Sequence, residues 1–101
     1  MPIETRLSDD GQTLTIRVDG RFDFSTHQAF RDAYEHSDSS VNRYVVDLSD
    51  TTYLDSSALG MLLLLRDHAG GDNARISVEN CNSDVRRILA ISNFEQLFSI
   101  R

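Results

Sequence analysis

Two adjacent hydroxyl side chains, Ser56 and Ser57, follow Asp55 at the start of an apolar helical segment. An apolar run over 44–48 precedes them. This order predicts that the two serines lie between the end of a buried strand and the start of a helix. Ligands and reactive groups of open α/β sheets usually lie at that edge. The N-terminus of a helix has unpaired N–H groups and about half a positive charge, and both stabilise an anion such as a phosphate ester. A phosphate on Ser56 or Ser57 would find donors there, but the residues alone favour helix capping without a further role, because Asp and Ser are the preferred caps.

The elements around these hydroxyls alternate between strands and helices from Arg43 onward. The run 44–48 is typical of a central strand covered on both faces. A loop is predicted over 49–54 and then a helix over 56–69, which Gly70 can end in a left-handed conformation. The remaining predicted elements are a strand around 76–78, a helix over 84–93 capped by Ser83 or Asp84, and a short strand over 97–100. This β-α-β-α-β order indicates parallel strands joined by right-handed crossovers.

The N-terminal part of the chain predicts a hairpin and one helix. Residues 13–19 alternate between apolar and polar side chains, as in a strand with one wet face, and the turn 9–11 joins them to a weaker strand candidate over 3–7. Ser25 can cap a helix that the serine-rich segment 37–40 then ends. The apolar stripe of this helix comprises Ala29, Phe30, Ala33 and Tyr34.

The predicted fold class is α/β, or α+β in schemes that weight the hairpin, with one domain over 1–101 and a mixed sheet of four to five strands. Leu, Ile, Val and Phe supply 28 of 101 residues, which is enough for a small core. The lone Cys81 excludes an internal disulfide framework. The longest apolar run, 61–65, is far too short to span a membrane, and the start of the chain lacks the order of a signal peptide. We therefore expect a cytoplasmic protein.

The charge distribution excludes several function classes. A net charge of −6 argues against nucleic acid and anionic membrane as partners. All ten basic residues are Arg, so the chain lacks the lysine of a P-loop, of a Schiff base and of a receiver domain. His27, His36 and His68 show no ligand spacing, so no metal site is expected.

The segments 45–49 (VVDLS) and 53–60 (YLDSSALG) resemble the signature of the STAS domain family, in particular that of the bacterial anti-sigma factor antagonists. That signature reads, loosely, D-L-S-x-V-x-Y-[ML]-D-S-[ST]-G-L-G. The resemblance extends upstream to GRFD at 20–23 and downstream to the predicted helix 84–93. It implies a STAS-like fold and a partner-switching protein in signal transduction and transcription regulation, without enzymatic activity and without a cofactor.

The resemblance also assigns roles to individual residues. It implies that Ser56 is the serine phosphorylated by a cognate kinase, often itself the anti-sigma factor, and dephosphorylated by a PP2C-type or response-regulator phosphatase. Asp55, Ser57 and Asp23 match the residues that support this site. The chain departs from the family pattern at Ala58 and Asn93, where Gly is usual, and neither change is expected to disturb the site.

The start of the helix is expected to bind the partner, with a phosphate on Ser56 opposing binding through its charge and hydration. A monomer is expected. The residues expected to contact the partner are Ser56, Ser57, Ala58, Leu59 and Met61.

Three alternatives remain. A constitutive STAS subunit of a transporter or lipid-export ATPase would use the same helix start as an assembly surface. A small serine hydrolase is disfavoured because Gly-x-Ser-x-Gly is absent and no His is evidently placed as a base. A receiver-like domain centred on Asp47 is disfavoured by the missing lysine; loop closure is the favoured role for Asp47.

Overall fold

A computed structural model describes residues 3–36 and 40–101, which contain seven strands and three helices. Most of the predicted break over 37–40 lies outside the described residues. The strands are β1 (Ile3–Leu7), β2 (Thr13–Val18), β3 (Gly20–Phe22), β4 (Arg43–Asp47), β5 (Thr51–Leu54), β6 (Ile76–Glu79) and β7 (Ser99–Ile100). The helices are α1 (His27–Glu35), α2 (Ser56–His68) and α3 (Ser83–Ile91), and short 3-10 turns cover Phe24–Thr26, Gly71–Asn73 and Phe94–Gln96.

The main sheet has five strands in the order β1-β2-β4-β6-β7. Strand β1 runs antiparallel to β2, and the other neighbours are parallel, as the hairpin and the crossover pattern predict. This mixed α/β fold confirms the predicted class. Strand β4 lies in the middle of the sheet, as its apolar run indicates.

One face of the main sheet carries the core. The alternating side chains of β2, β4 and β6 on this face join the buried faces of the helices in one apolar cluster. On the opposite face of β4, Val45 is buried between its register partners Thr15 of β2 and Ser77 of β6. The helix-side members of the cluster include Phe30, Tyr34, Met61, Leu62, Leu65, Val85 and Leu89.

The predicted loop over 49–54 contains a strand. Strand β5 pairs in parallel with β3 to form a separate two-stranded sheet, with Phe22 opposite Leu54. Gly20 redirects the chain from β2 into β3 with φ of 77°, a conformation that glycine adopts without steric cost. Four residues are too few to show a period, so this pairing leaves little trace in the sequence.

Two helix caps differ from the prediction. Asp23 caps the 3-10 turn before α1, accepting from the Ser25 N–H, whereas Ser25 was expected to be the cap. Asn82 caps α3 by accepting from the Val85 N–H at 2.8 Å, in place of Ser83 or Asp84. In both cases the cap precedes the predicted residue, because the helical turn begins before the first apolar residue of the helix.

The last predicted strand is shorter than expected. Residues 94–96 form a 3-10 turn entered through Asn93, whose φ of 59° is left-handed, and only Ser99 and Ile100 pair with β6. Gly70 follows α2 with φ of 118°, as predicted.

Candidate functional site

Strands β3 and β5 bring two carboxylates side by side. Because Phe22 is paired with Leu54, the next residues, Asp23 and Asp55, leave neighbouring parallel strands at the same edge. Both have extended backbone conformations, and each caps the helical turn that follows it. The two-stranded sheet therefore fixes the positions of both carboxylates through its register.

Asp55 engages the beginning of α2 through one oxygen. Its Oδ1 accepts from the Ser57 N–H at 3.0 Å, from the Ala58 N–H at 3.2 Å and from the Ser57 hydroxyl at 2.5 Å. Two of the N–H groups expected to be open to an anion are thus already bonded to a carboxylate. The Ser57 hydroxyl is committed as a donor to the same group.

Ser56 has different surroundings from its neighbour. It is the first residue of α2 and is exposed. Among residues 3–36 and 40–101, no hydrogen bond to its hydroxyl is found, whereas the half-buried Ser57 is bonded to Asp55. Of the two adjacent hydroxyls, Ser56 is the one presented to solvent.

Asp23 repeats the arrangement of Asp55 one strand away. Its Oδ1 accepts from the Ser25 N–H at 3.0 Å and from the Ser25 hydroxyl at 2.5 Å, and its Oδ2 accepts from Arg21 Nε at 3.1 Å. Phe24 occupies the position that corresponds to Ser56. The structure thus places Asp23 beside Asp55.

Hydrogen bonding stabilises the charged form of both carboxylates. The hydroxyl of Ser57 holds the pKa of Asp55 below its usual value, and the nearby charge of Asp23 opposes this in part. The hydroxyl of Ser25 and the Arg21 guanidinium lower the pKa of Asp23. Both groups are therefore anionic at neutral pH, and the Arg21 guanidinium offsets the charge of Asp23.

Exposed aromatic side chains flank the carboxylates. Phe24 is 75% exposed, and its ring stacks on His27 with 5.8 Å between centroids. Tyr53 is also exposed, with the Arg21 guanidinium 4.3 Å from its ring centroid. Sequence reasoning did not single out these aromatics. Phe22 and Phe24 look alike in the sequence, and only their opposite orientations in the fold distinguish a core residue from a surface one.

Part of the expected partner-binding set is wrong. Ala58 and Met61 are buried in the core beneath α2, so neither offers a surface to a partner. Leu59 is half-buried, whereas Leu63 and Leu64 are exposed. The helix turns Ala58 and Met61 toward the sheet because they share a face with Leu62 and Leu65.

Long-range hydrogen bonds hold the segment that leads into α2. The buried Thr51 hydroxyl donates to the Val18 carbonyl at 2.7 Å, and the Asn82 amide donates to the Thr51 carbonyl at 3.1 Å. Asp47 Oδ1 accepts from the Ser49 N–H at 3.0 Å and from the Asn80 amide at 3.2 Å. Asp47 therefore closes this loop, as expected.

Ser56 is exposed, and it does not line any of five grooves of about 230 to 400 Å³ on the described part of the molecule. Within that part of the chain, no cluster of His, Cys, Asp and Glu could hold a metal ion, and no helix is long and apolar enough to cross a membrane. Cys81 is half-buried, and burial raises the pKa of its thiol.

Comparison with known proteins gives one consistent family. Residues 5–99 match the family model described as Mlab, STAS domain. A STAS-domain containing protein of Pseudomonas aeruginosa (strain UCBPP-PA14) is 68% identical over 100 residues, which cover 99% of each chain.

Solved structures share the fold at low identity. The anti-sigma factor antagonist SpoIIAA in its unphosphorylated form matches 98% of this chain and 86% of its own, with a TM-score of 0.76 and 16% identity. The phosphorylated form of SpoIIAA from Bacillus matches 98% and 90%, with a TM-score of 0.67 and 15% identity. A sulfate transporter family protein of Wolinella succinogenes matches 90% and 73%, with a TM-score of 0.74 and 8% identity. The family match over nearly the whole chain, the close relative and the shared fold show that this chain belongs to the STAS domain family.

Proposed function

We propose that this protein is an anti-sigma factor antagonist whose choice of partner is controlled by reversible phosphorylation of Ser56. The observation that carries the proposal is the difference between the two adjacent hydroxyls. Ser56 is exposed and has no hydrogen bond within the described residues, whereas Ser57 is bonded to Asp55. A kinase therefore has direct access to the first hydroxyl and would have to break a bond to use the second.

The charge around Ser56 gives the modification its effect. A phosphoserine adds about −1.5 to −2 charges at neutral pH. Here the charge adds to two anionic carboxylates, Asp23 and Asp55. Because Asp55 already occupies the N–H groups of Ser57 and Ala58, the helix N-terminus cannot use those donors to neutralise the phosphate. The phosphate charge therefore acts on any partner that binds this edge.

Partner release follows from repulsion and desolvation. An acidic or water-excluding partner surface over Ser56 would have to approach three neighbouring anionic groups. A penalty of about 3–4 kcal/mol lowers affinity by roughly two to three orders of magnitude. No change of fold is needed, and the match to both forms of SpoIIAA is consistent with one fold for both states.

The proposed partners follow from this chemistry and from the neighbours. An anti-sigma factor or serine kinase binds the edge formed by Ser56, Ser57, Leu59 and the exposed Phe24. A PP2C-type or response-regulator phosphatase restores the free hydroxyl. The protein itself supplies no catalytic group to either step.

Intact-mass measurement and affinity capture test the proposal. Protein isolated from its own cells is expected to show one phosphate that disappears in Ser56→Ala and persists in Ser57→Ala. Capture with wild type, Ser56→Ala and Ser56→Asp is expected to give different partner sets for Ala and Asp. Identical partner sets from all three, with no phosphate in any growth condition, would overturn the proposal.

A second candidate is a constitutive STAS subunit of a transport complex. The match to a sulfate transporter family protein favours it, since the same fold serves in that protein. In this case capture would recover a membrane transport protein, and Ser56→Ala would leave the captured set unchanged.

A further inference from the structure

Strand β1 is an edge strand with one open side. It is first in the order of the main sheet and pairs along one side with β2, from Ile3 opposite Val18 to Leu7 opposite Leu14. Among the described residues, no strand pairs with its other side. Residues 4–7 are exposed. Such an edge presents unpaired N–H and C=O groups that can accept another strand.

The side chains of β1 are self-complementary about Thr5. If a second copy of β1 lies antiparallel with Thr5 opposite Thr5 of the partner subunit, Glu4 faces Arg6 of the partner subunit, and Arg6 faces Glu4 of the partner subunit. On the other face of the paired strands, Ile3 of each copy lies opposite Leu7 of the other copy. Charged residues on an edge strand usually prevent pairing. Here their opposite signs at symmetric positions make the two-fold pairing attractive instead.

A groove lies beside this edge on the helix side of the sheet. It has a volume of about 300 Å³, and its lining includes Ile3 and Thr5 of β1 and the small residues Ala29 and Ala33 of α1. Leu7, at the end of the same strand, is 51% exposed. An added strand would direct every second side chain toward this groove, and the small side chains of α1 leave space for them.

We propose that this chain forms a symmetric homodimer by antiparallel pairing of β1 about Thr5, which joins two five-stranded sheets into one. The dimer axis passes through Thr5, as an interface built from the same patch on both copies requires. Pairing of five-residue strands forms an interface smaller than the usual ~1,200 Å² of stable complexes, so the dimer is weak and depends on concentration. The surface shares no residue with the Ser56 site, so the proposal stands independently of the proposed function.

Charge reversal with a complementary mixture tests the register. Glu4→Arg places two like-charged pairs across the axis, and so does Arg6→Glu. Each variant alone is expected to dimerise at least about tenfold more weakly than wild type, as measured by sedimentation equilibrium from micromolar to millimolar concentration. An equal mixture of the two variants restores both opposite-charge pairs and is expected to form a heterodimer with near wild-type affinity.

Several outcomes would overturn the proposal. Wild type that stays monomeric to about 1 mM, or that dimerises without any effect of either reversal, contradicts this interface. A mixture no tighter than the single variants contradicts the register. Glu4 Oε2 lies 3.7 Å from Arg17 Nη1 of the same chain, so Glu4→Arg also removes an ion pair within the monomer. Circular dichroism and thermal unfolding of each variant therefore serve as controls that the fold is kept. Binding of an unrelated extended peptide to monomeric wild type would assign the edge to another partner and exclude the dimer.

Discussion

Asp23 and Asp55 are structural equivalents on two paired parallel strands. Each follows the residue pair Phe22–Leu54, and each accepts both the N–H and the hydroxyl of the serine two positions later. The middle residue of one triplet is Phe24 and that of the other is Ser56. The exposed ring of Phe24 and the exposed hydroxyl of Ser56 therefore occupy equivalent positions, each directly after one of the two carboxylates.

This pair predicts a loss of stability in acid. The pKa of both carboxyl groups is lowered in the folded protein, chiefly by Ser25 and Ser57. Their contribution is therefore present above the ordinary value of about 3.9 and is lost as the pH falls through the lower folded pKa. Urea unfolding between about pH 6 and pH 2 should show this decline. In Asp23→Asn/Asp55→Asn, where Asn still caps, the decline should be shallower. An unchanged slope would show that these carboxylates do not contribute.

Phe24→Ala is expected to weaken partner binding without affecting folding. The ring is 75% exposed, so its removal leaves no cavity, whereas an exposed aromatic is a typical anchor of a binding surface. Affinity for the captured partner should fall by about tenfold or more, and the free energy of unfolding should change by less than about 0.5 kcal/mol. Isothermal titration and urea unfolding measure the two effects. Unchanged affinity would remove Phe24 from the partner surface.

Thr51→Val is expected to destabilise the fold by about 1 kcal/mol. The substitution keeps the shape of a buried side chain and removes the 2.7 Å hydrogen bond to the Val18 carbonyl. The neighbouring Thr52 is exposed, so Thr52→Val provides a matched control with a change within about 0.5 kcal/mol. Equal effects of the two variants in urea unfolding would show that the hydrogen bond does not matter.

The leucine run of α2 offers a second matched pair. Leu62 is fully buried and Leu64 is 51% exposed. Leu62→Ala is expected to cost about 2–5 kcal/mol because it leaves a cavity, whereas Leu64→Ala should change the free energy of unfolding by about 0.5 kcal/mol or less. Chemical denaturation of both variants distinguishes the two. Similar losses would contradict an orientation of α2 in which Leu62 faces the core and Leu64 faces solvent.

Local patterns were sufficient to predict most of the elements. The alternation over 13–19 and the apolar run over 44–48 identified β2 and β4, because burial on a sheet repeats every two residues or covers a whole strand. Asp55 at the start of α2 was identifiable because capping acts within three residues. The caps Asp23 and Asn82 were missed, since a cap can precede the apolar stripe by several residues.

The sequence by itself determined the order of the helices and of the main-sheet strands, the family and the Asp-Ser-Ser triplet, because these depend on neighbours along the chain. Only the tertiary structure decided that β5 pairs with β3, that Asp23 therefore lies beside Asp55, and that Ser57 is engaged while Ser56 is exposed. It also decided that Ala58 and Met61 are buried. The register of two short strands and the rotation of a helix over a sheet both depend on contacts between distant segments. A four-residue strand and a continuous leucine run have no local periodicity from which either could be predicted.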